Sequence, residues 1–213
     1  MAKDVQKIGI MGGTFNPIHI GHLVIAEEVR CRFDLDKIIF IPAGNPPHKD
    51  YKNITAGNHR YQMTLLATID NPYFDVSSIE LAREGITYTI DTITTLREKC
   101  DKDVDLYFIT GADSIIELST WKQVDKLLNL CKFIAATRPG FDIAKIEAKV
   151  RELEARYNKS IYSLSVPALQ ISSTDIRNRI NQGMTVKYLL PESVEHYINK
   201  HNLYREKDNE NCW

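Results

Sequence analysis

The chain has 213 residues, 43% of them hydrophobic and 26% charged. That length and balance fit one globular domain or two small ones with a buried core, and they exclude a disordered or collagen-like chain. Lysine and arginine total 27 against 28 aspartates and glutamates, a formal charge of −1, so no global positive field points to long nucleic acid or an anionic membrane; an anionic ligand must meet a local cluster of donors.

The opening MAKDVQKIGIMGG carries only a short apolar stretch before two glycines. It predicts a first strand over Lys7–Met11, not a signal peptide, and a protein that stays in the cytoplasm. Further strands are expected over Lys37–Ile41, Phe74–Ser77, Val104–Ile109, Lys132–Ala136 and Ser160–Leu164. Helices are expected over Ile20–Phe33, Asn58–Asp70, Thr89–Lys99, Ala112–Leu118, Val124–Leu128, Ile143–Tyr157, Ser173–Gln182 and Glu192–His201. The runs IGIM, IIFI, LYFI and FIAA are continuously apolar, as in strands buried on both faces of a parallel sheet covered by helices. No run approaches the ~20 residues that span a bilayer. With no repeat and no Ser/Gly-rich linker, one α/β domain over 1–205 is expected, followed by a loose polar tail at 206–213. Cys31, Cys100, Cys131 and Cys212 lie far apart without a CxxC pair, which predicts reduced, mostly buried thiols.

The first strand runs into Gly12-Gly13-Thr14-Phe15-Asn16-Pro17-Ile18-His19-Ile20-Gly21-His22 and then a helix. Glycines there let a phosphate approach the backbone, and the free N–H groups of the helix start favour negative charge. His19 and His22 are one helical turn apart, so both imidazoles can face one phosphate and stabilise charge developing on it. Asn45-Pro46-Pro47-His48-Lys49 follows the second strand, where ligands bind in open α/β sheets; alone it would pass as a polar loop. Gly85-Ile86-Thr87-Tyr88-Thr89-Ile90-Asp91-Thr92 leads into a helix, and Thr110-Gly111-Ala112-Asp113 follows a strongly apolar strand, with Trp121 beyond. Near the far end, Ile171-Ser172-Ser173-Thr174-Asp175-Ile176-Arg177 reads as a helix capped by Ser172, its first N–H groups and hydroxyls available and Arg177 placed to grip a phosphate.

GGTFNPIHIGH and ISSTDIR resemble the T/HxGH and ISSTxIR signatures of the nucleotidylyltransferase superfamily. Together with NPPHK, TYTIDT, TGADSIIELSTW and TRPG, in this order, they resemble the bacterial nicotinate-nucleotide adenylyltransferase family from Lys7 to about Tyr204. The resemblance implies a Rossmann-like open parallel sheet with helices on both faces. It also implies a reaction, adenylyl transfer from MgATP to nicotinate mononucleotide, which gives deamido-NAD and pyrophosphate in NAD biosynthesis. Carried over residue by residue, it places Gly12, Gly13, Thr14, Phe15, His19 and His22 against ATP, with the two imidazoles stabilising the transition state. Ser172, Ser173 and Arg177 would hold the triphosphate, and Gly111 and Asp113 the adenosine ribose. Asn45, His48, Lys49, Thr87, Tyr88, Trp121 and Arg138 would border the mononucleotide, Trp121 by stacking on its ring. Mg²⁺ would bind chiefly through ATP phosphates, with no protein metal site. Asn16 stands where many relatives have Asp, a swap that removes no imidazole. Two positions keep a second reading: Trp121 as a core anchor and Asp113 as a helix cap.

A phosphopantetheine adenylyltransferase would share the two outer motifs without PPHK and Trp121. A cytidylyltransferase is a further option, and a class I aminoacyl-tRNA synthetase fragment would need a KMSKS-like loop that this chain lacks. A nucleotide-binding regulator without turnover would not need both imidazoles and Arg177. Preference for nicotinate over nicotinamide, and monomer against homodimer, stay open at this level.

Overall fold

The computed structural model describes residues 5–46, 54–101, 103–137, 143–167 and 170–205 and, of Ala112 and Asp113, the backbone only. The apolar runs become β1 (Gln6–Gly13), β2 (Lys37–Pro42), β3 (Phe74–Val76), β4 (Val104–Gly111), β5 (Lys132–Thr137) and β6 (Ile161–Ser165). They form one sheet in the order β3-β2-β1-β4-β5-β6, and every neighbouring pair is parallel. Parallel neighbours require crossovers. These carry α1 (Ile20–Phe33), α2 (Gly57–Thr68), α3 (Thr89–Lys99), α4 (Ala112–Ile116), α5 (Val124–Leu130) and α6 (Ile143–Tyr157), and α7 (Ser173–Asn181) and α8 (Glu192–Lys200) follow β6.

Alternation along the central strands feeds two cores. Phe108 and Phe133 share one with Ile93 of α3, Leu127 of α5 and Leu153 of α6. Their chain neighbours Ile109 and Ile134 share the other with Val29 of α1, Met63 of α2, Ile176 of α7 and Ile198 of α8. Helices therefore cover both faces, as the unbroken apolar strands predicted. The chain leaves β1 toward β2 on one side and returns to β4 on the other, so the strand order reverses between β1 and β4. Ligands bind at the carboxyl end of such a switch point.

Two expectations need correction. The helix predicted over Ala112–Leu118 stops at Ile116 and gives way to a 3₁₀ turn, Leu118–Thr120. There the Thr120 hydroxyl donates to the Glu117 carbonyl at 2.8 Å and takes an acceptor that a continuing helix would use. The thiols are not mostly buried: Cys31 is exposed on α1, Cys100 half-buried, and only Cys131 buried among the described cysteines. All three are reduced, and burial pushes the Cys131 thiol up to about 12. Cys212 and the tail 206–213 lie outside the described residues. Among the described residues, no helix is long and apolar enough to cross a membrane.

Candidate active site

At the switch point β1 opens into the Gly12–His22 loop. Phe15 takes a left-handed backbone, φ 46°, which turns its ring inward, 2% exposed. The ring packs against Phe40 and meets His22 edge-on, centroids 5.1 Å apart, so Phe15 supports the loop from below. The Asn16–Pro17 peptide is cis. His19 caps α1 and is buried, and its backbone N–H donates to Nδ1 of half-buried His22 at 3.2 Å. An accepting Nδ1 puts the proton of neutral His22 on Nε2, which becomes a donor. The two rings stack at 3.7 Å. Gly21 stands beside them, where a Cβ would lie 3.1 Å from His19 Nδ1, a tight approach that the imidazole would have to yield to.

The far end of the chain closes on this loop. Ser172 caps α7, its hydroxyl accepting from the Asp175 N–H at 3.1 Å. Here the structure differs from the expectation of uncommitted hydroxyls: the Ser173 hydroxyl donates to the Pro17 carbonyl at 2.8 Å. Arg177 donates to the Asn16 carbonyl at 2.8 Å and to the Thr174 hydroxyl at 3.2 Å. The Asn16 side-chain oxygen in turn accepts from the Tyr204 hydroxyl at 3.0 Å and the Thr55 N–H at 3.3 Å. Burial pushes the Tyr204 phenol up to about 12, so it remains a donor.

A cavity of about 550 Å³ opens over the ends of β1 and β4. Gly12, Gly13 and Thr14 line it on the β1 side, and Thr87, Tyr88 and Trp121 opposite. The histidine pair, Ser172, Ser173 and Arg177 gather instead where α1 and α7 begin. The loop after β2 is docked on the loop before α3. Asn45 N–H donates to the Thr87 hydroxyl at 3.2 Å, Thr87 N–H to the Asn45 carbonyl at 2.9 Å, and the Asn45 amide to Gly85 O at 3.0 Å. Gly44 N–H adds a bond to the buried Glu80 carboxylate at 3.2 Å, and a Cβ on Gly44 would run into the Glu80 carbonyl. Asn45 and Thr87 thus meet each other at the cavity wall. Trp121 takes up its core-anchor reading and also faces the cavity. Its ring is anchored edge-on against Phe108 and Phe133, at 5.9 and 6.3 Å, while the half-buried remainder lines the cavity. Gly111 ends β4 and caps α4, with open space where a side chain would stand. His48, Lys49, Arg138 and the Asp113 side chain lie outside what is described.

Four residues escaped the sequence reading. Lys122 holds its ammonium 4.1 Å over the Tyr88 ring and 3.6 Å from Asp91, and among the described lining residues it is the only lysine or arginine. Glu80 and Tyr204 tie loops, as above. Arg60 is buried, 2% exposed, on the α2 face that carries Met63, Thr64 and Ala67. Its i, i+3, i+4, i+7 spacing from those apolar and small residues was the available signal.

A parallel 3-2-1-4-5-6 sheet with a glycine and histidine loop at its switch point defines a nucleotidyl-transferring protein of the Rossmann-like class, and the family described as Cytidylyltransferase-like matches residues 10–179. The chain is 57% identical over 205 residues to "Probable nicotinate-nucleotide adenylyltransferase" of Thermoanaerobacter sp. (strain X514), covering 96% of this chain and 97% of that one. It is 54% identical to the protein of the same name from Moorella thermoacetica, covering 94% and 93%. In fold it matches Plasmodium falciparum nicotinic acid mononucleotide adenylyltransferase complexed with NaAD, with TM-score 0.76, 24% identity and 93% and 97% coverage. The chain belongs to the nicotinate-nucleotide adenylyltransferase family.

Proposed function

We propose that the protein transfers the adenylyl group of ATP to nicotinate mononucleotide, releasing deamido-NAD and pyrophosphate. The observation that carries this is the meeting of the two ends of the chain: Ser173 on Pro17 and Arg177 on Asn16 place the start of α7 beside the start of α1. Two helix N-termini, two imidazoles and a guanidinium then gather on the loop that leaves β1, whose Gly12, Gly13 and Thr14 line a cavity large enough for a nucleotide.

In the reaction, an oxygen of the mononucleotide phosphate forms a bond to the α-phosphorus of ATP as the bond from that phosphorus to the bridging oxygen breaks, and pyrophosphate carries the electron pair away. No covalent enzyme intermediate is needed, so catalysis is positioning plus charge stabilisation. His22 Nε2–H and His19 would donate to phosphate oxygens, with Ser172, Ser173 and Arg177 on the triphosphate. Gly12, Gly13 and Thr14 would let the nucleotide lie against β1, with Phe15 beneath, and Gly111 and Asp113 would meet the ribose. Asn45, Thr87 and Tyr88 would wall the acceptor site, Trp121 would stack on the pyridine ring, and His48, Lys49 and Arg138 would answer the acceptor phosphate. Mg²⁺ would enter as MgATP and offset phosphate charge. Among the described residues no group of three or more His, Cys, Asp or Glu side chains could hold a metal; an ion that keeps its waters and binds through ATP phosphates would need none.

Pyrophosphate release is the test, measured with ATP and, in turn, nicotinate mononucleotide, nicotinamide mononucleotide, phosphopantetheine and glycerol phosphate. Highest kcat/KM with nicotinate mononucleotide is expected. Preference for another acceptor overturns the substrate, and binding of ATP without release under every pairing overturns the reaction.

A further inference from the structure

Arg60 is the only buried lysine or arginine among the described residues. Its guanidinium makes no ion pair within 4 Å with any described acid; the Glu80 carboxylate acts on it only through longer-range charge. All of its described hydrogen bonds go to main-chain carbonyls: Nε to Thr55 at 2.8 Å, and the two terminal nitrogens to Thr14 at 2.8 Å and Gly44 at 3.3 Å. Thr14 belongs to the loop between the glycine pair and His19. Gly44 belongs to the loop after β2, which is docked through Glu80 and Thr87 on the acceptor wall. Thr55 is bonded through its own N–H to Asn16. One planar group therefore ties the ATP-side loop to the acceptor-side loop.

We propose that Arg60 is a positioning residue for the transfer reaction, fixing the Thr14 loop against the Gly44 loop and so setting the line along which the acceptor phosphate meets the α-phosphorus. The inference rests on the adenylyl transfer proposed above. Burying a charge without a carboxylate partner costs desolvation that an apolar residue on this helix face would avoid. The guanidinium is the group that can supply several donors in one fixed plane, and it stays protonated despite the downward pull of burial. Lysine keeps the charge but replaces the fork with one mobile ammonium. In-line displacement tolerates little misplacement, since a shift of about 1 Å can cost about a hundredfold in rate.

The test is steady-state pyrophosphate release by the full chain, comparing wild type, Arg60→Lys and Thr64→Val, with thermal unfolding of each. Thr64 lies one turn further along the same buried face, and among the described residues its hydroxyl bonds only the Arg60 carbonyl. It therefore reports what damage to α2 alone does. The expectation for Arg60→Lys is a folded protein whose kcat falls by about tenfold or more, while KM for each substrate stays within about threefold. Thr64→Val is expected to lose stability and keep its kcat. The proposal is overturned by an Arg60→Lys kcat within about twofold of wild type, by an equal kcat loss in Thr64→Val, or by failure of Arg60→Lys alone to fold, which would make it a folding residue. If wild type is inactive with nicotinate mononucleotide but active with another acceptor, the substrate reading fails separately and the variants are compared with that acceptor. Inactivity with every acceptor sinks both.

Discussion

His22 carries two separable duties, and substitution can divide them. Nδ1 accepts the His19 N–H at the start of α1, a structural bond; Nε2–H is the proposed donor to the transition state. Losing a transition-state donor of this kind costs about 2.7–4 kcal/mol, or about 10²–10³ in kcat. Losing the acceptor at the helix start costs about 1 kcal/mol of stability. His22→Ala removes both, so kcat should fall by about 10²–10³ and the unfolding midpoint should drop with it. His22→Asn puts an amide oxygen near the place of Nδ1 and nothing at Nε2. Its stability should return to within about 0.5 kcal/mol of wild type while kcat stays as low as in His22→Ala. The assays are pyrophosphate release over a full range of both substrates and thermal unfolding of the same preparations. A loss confined to transition-state stabilisation lowers kcat and kcat/KM together and leaves KM for ATP nearly unchanged. The reasoning is refuted if His22→Asn turns over within about threefold of wild type, or if either variant raises KM for ATP at unchanged kcat.

The remaining expectations concern the proposed acceptor wall and the surface. Lys122→Met removes a cation from the cavity lining. Because the ammonium is partly exposed and shared with Asp91, the loss should be about 1 kcal/mol, about fivefold in kcat/KM for nicotinate mononucleotide, and should fade with added salt. An equal loss with nicotinamide mononucleotide would show that Lys122 does not read the carboxylate. Gly44→Ala forces a methyl group into the Glu80 carbonyl, so stability should drop by about 1–3 kcal/mol and KM for the acceptor should rise before KM for ATP; unchanged calorimetry would refute the tight docking. Glu27 is bonded to Arg30 and Asn71, chiefly the Arg30 bond holding its carboxyl down to about 2. A lowered folded pKa contributes stability above the unfolded value near 4.5 that is lost as pH falls toward 2. With the side chain 40% exposed the pair is screened to less than about 1 kcal/mol. The stability gap between wild type and Glu27→Gln, followed by urea unfolding, should therefore shrink from pH 5 downward; a gap that widens in acid would contradict it.

What the sequence made legible was local. Ile10, Phe108 and Phe133 sit in unbroken apolar runs, and those runs became the central strands with helices on both faces. The capping signal at Ser172 became a real cap, because the signature depends only on residues within one turn. Contacts between distant segments carry no such local trace. Nothing in ISSTDIR says that Ser173 will spend its proton on Pro17, and nothing in the tail of the fold says that Tyr204 will reach Asn16. Arg60 is the mixed case: its spacing from Met63, Thr64 and Ala67 marks the inward face of α2, but only the fold shows the three loop carbonyls around its guanidinium. The same fact changes what the formal charge of −1 means. Arg60 gives its described donors to main-chain carbonyls of the loops after β1 and β2 and of Thr55, and Arg177 bonds the Asn16 carbonyl in the first of those loops. A chain with no surplus of positive charge can thus build guanidinium groups into the loops around the switch point of its sheet, and under the proposed function these would raise the local potential that a phosphorylated substrate meets.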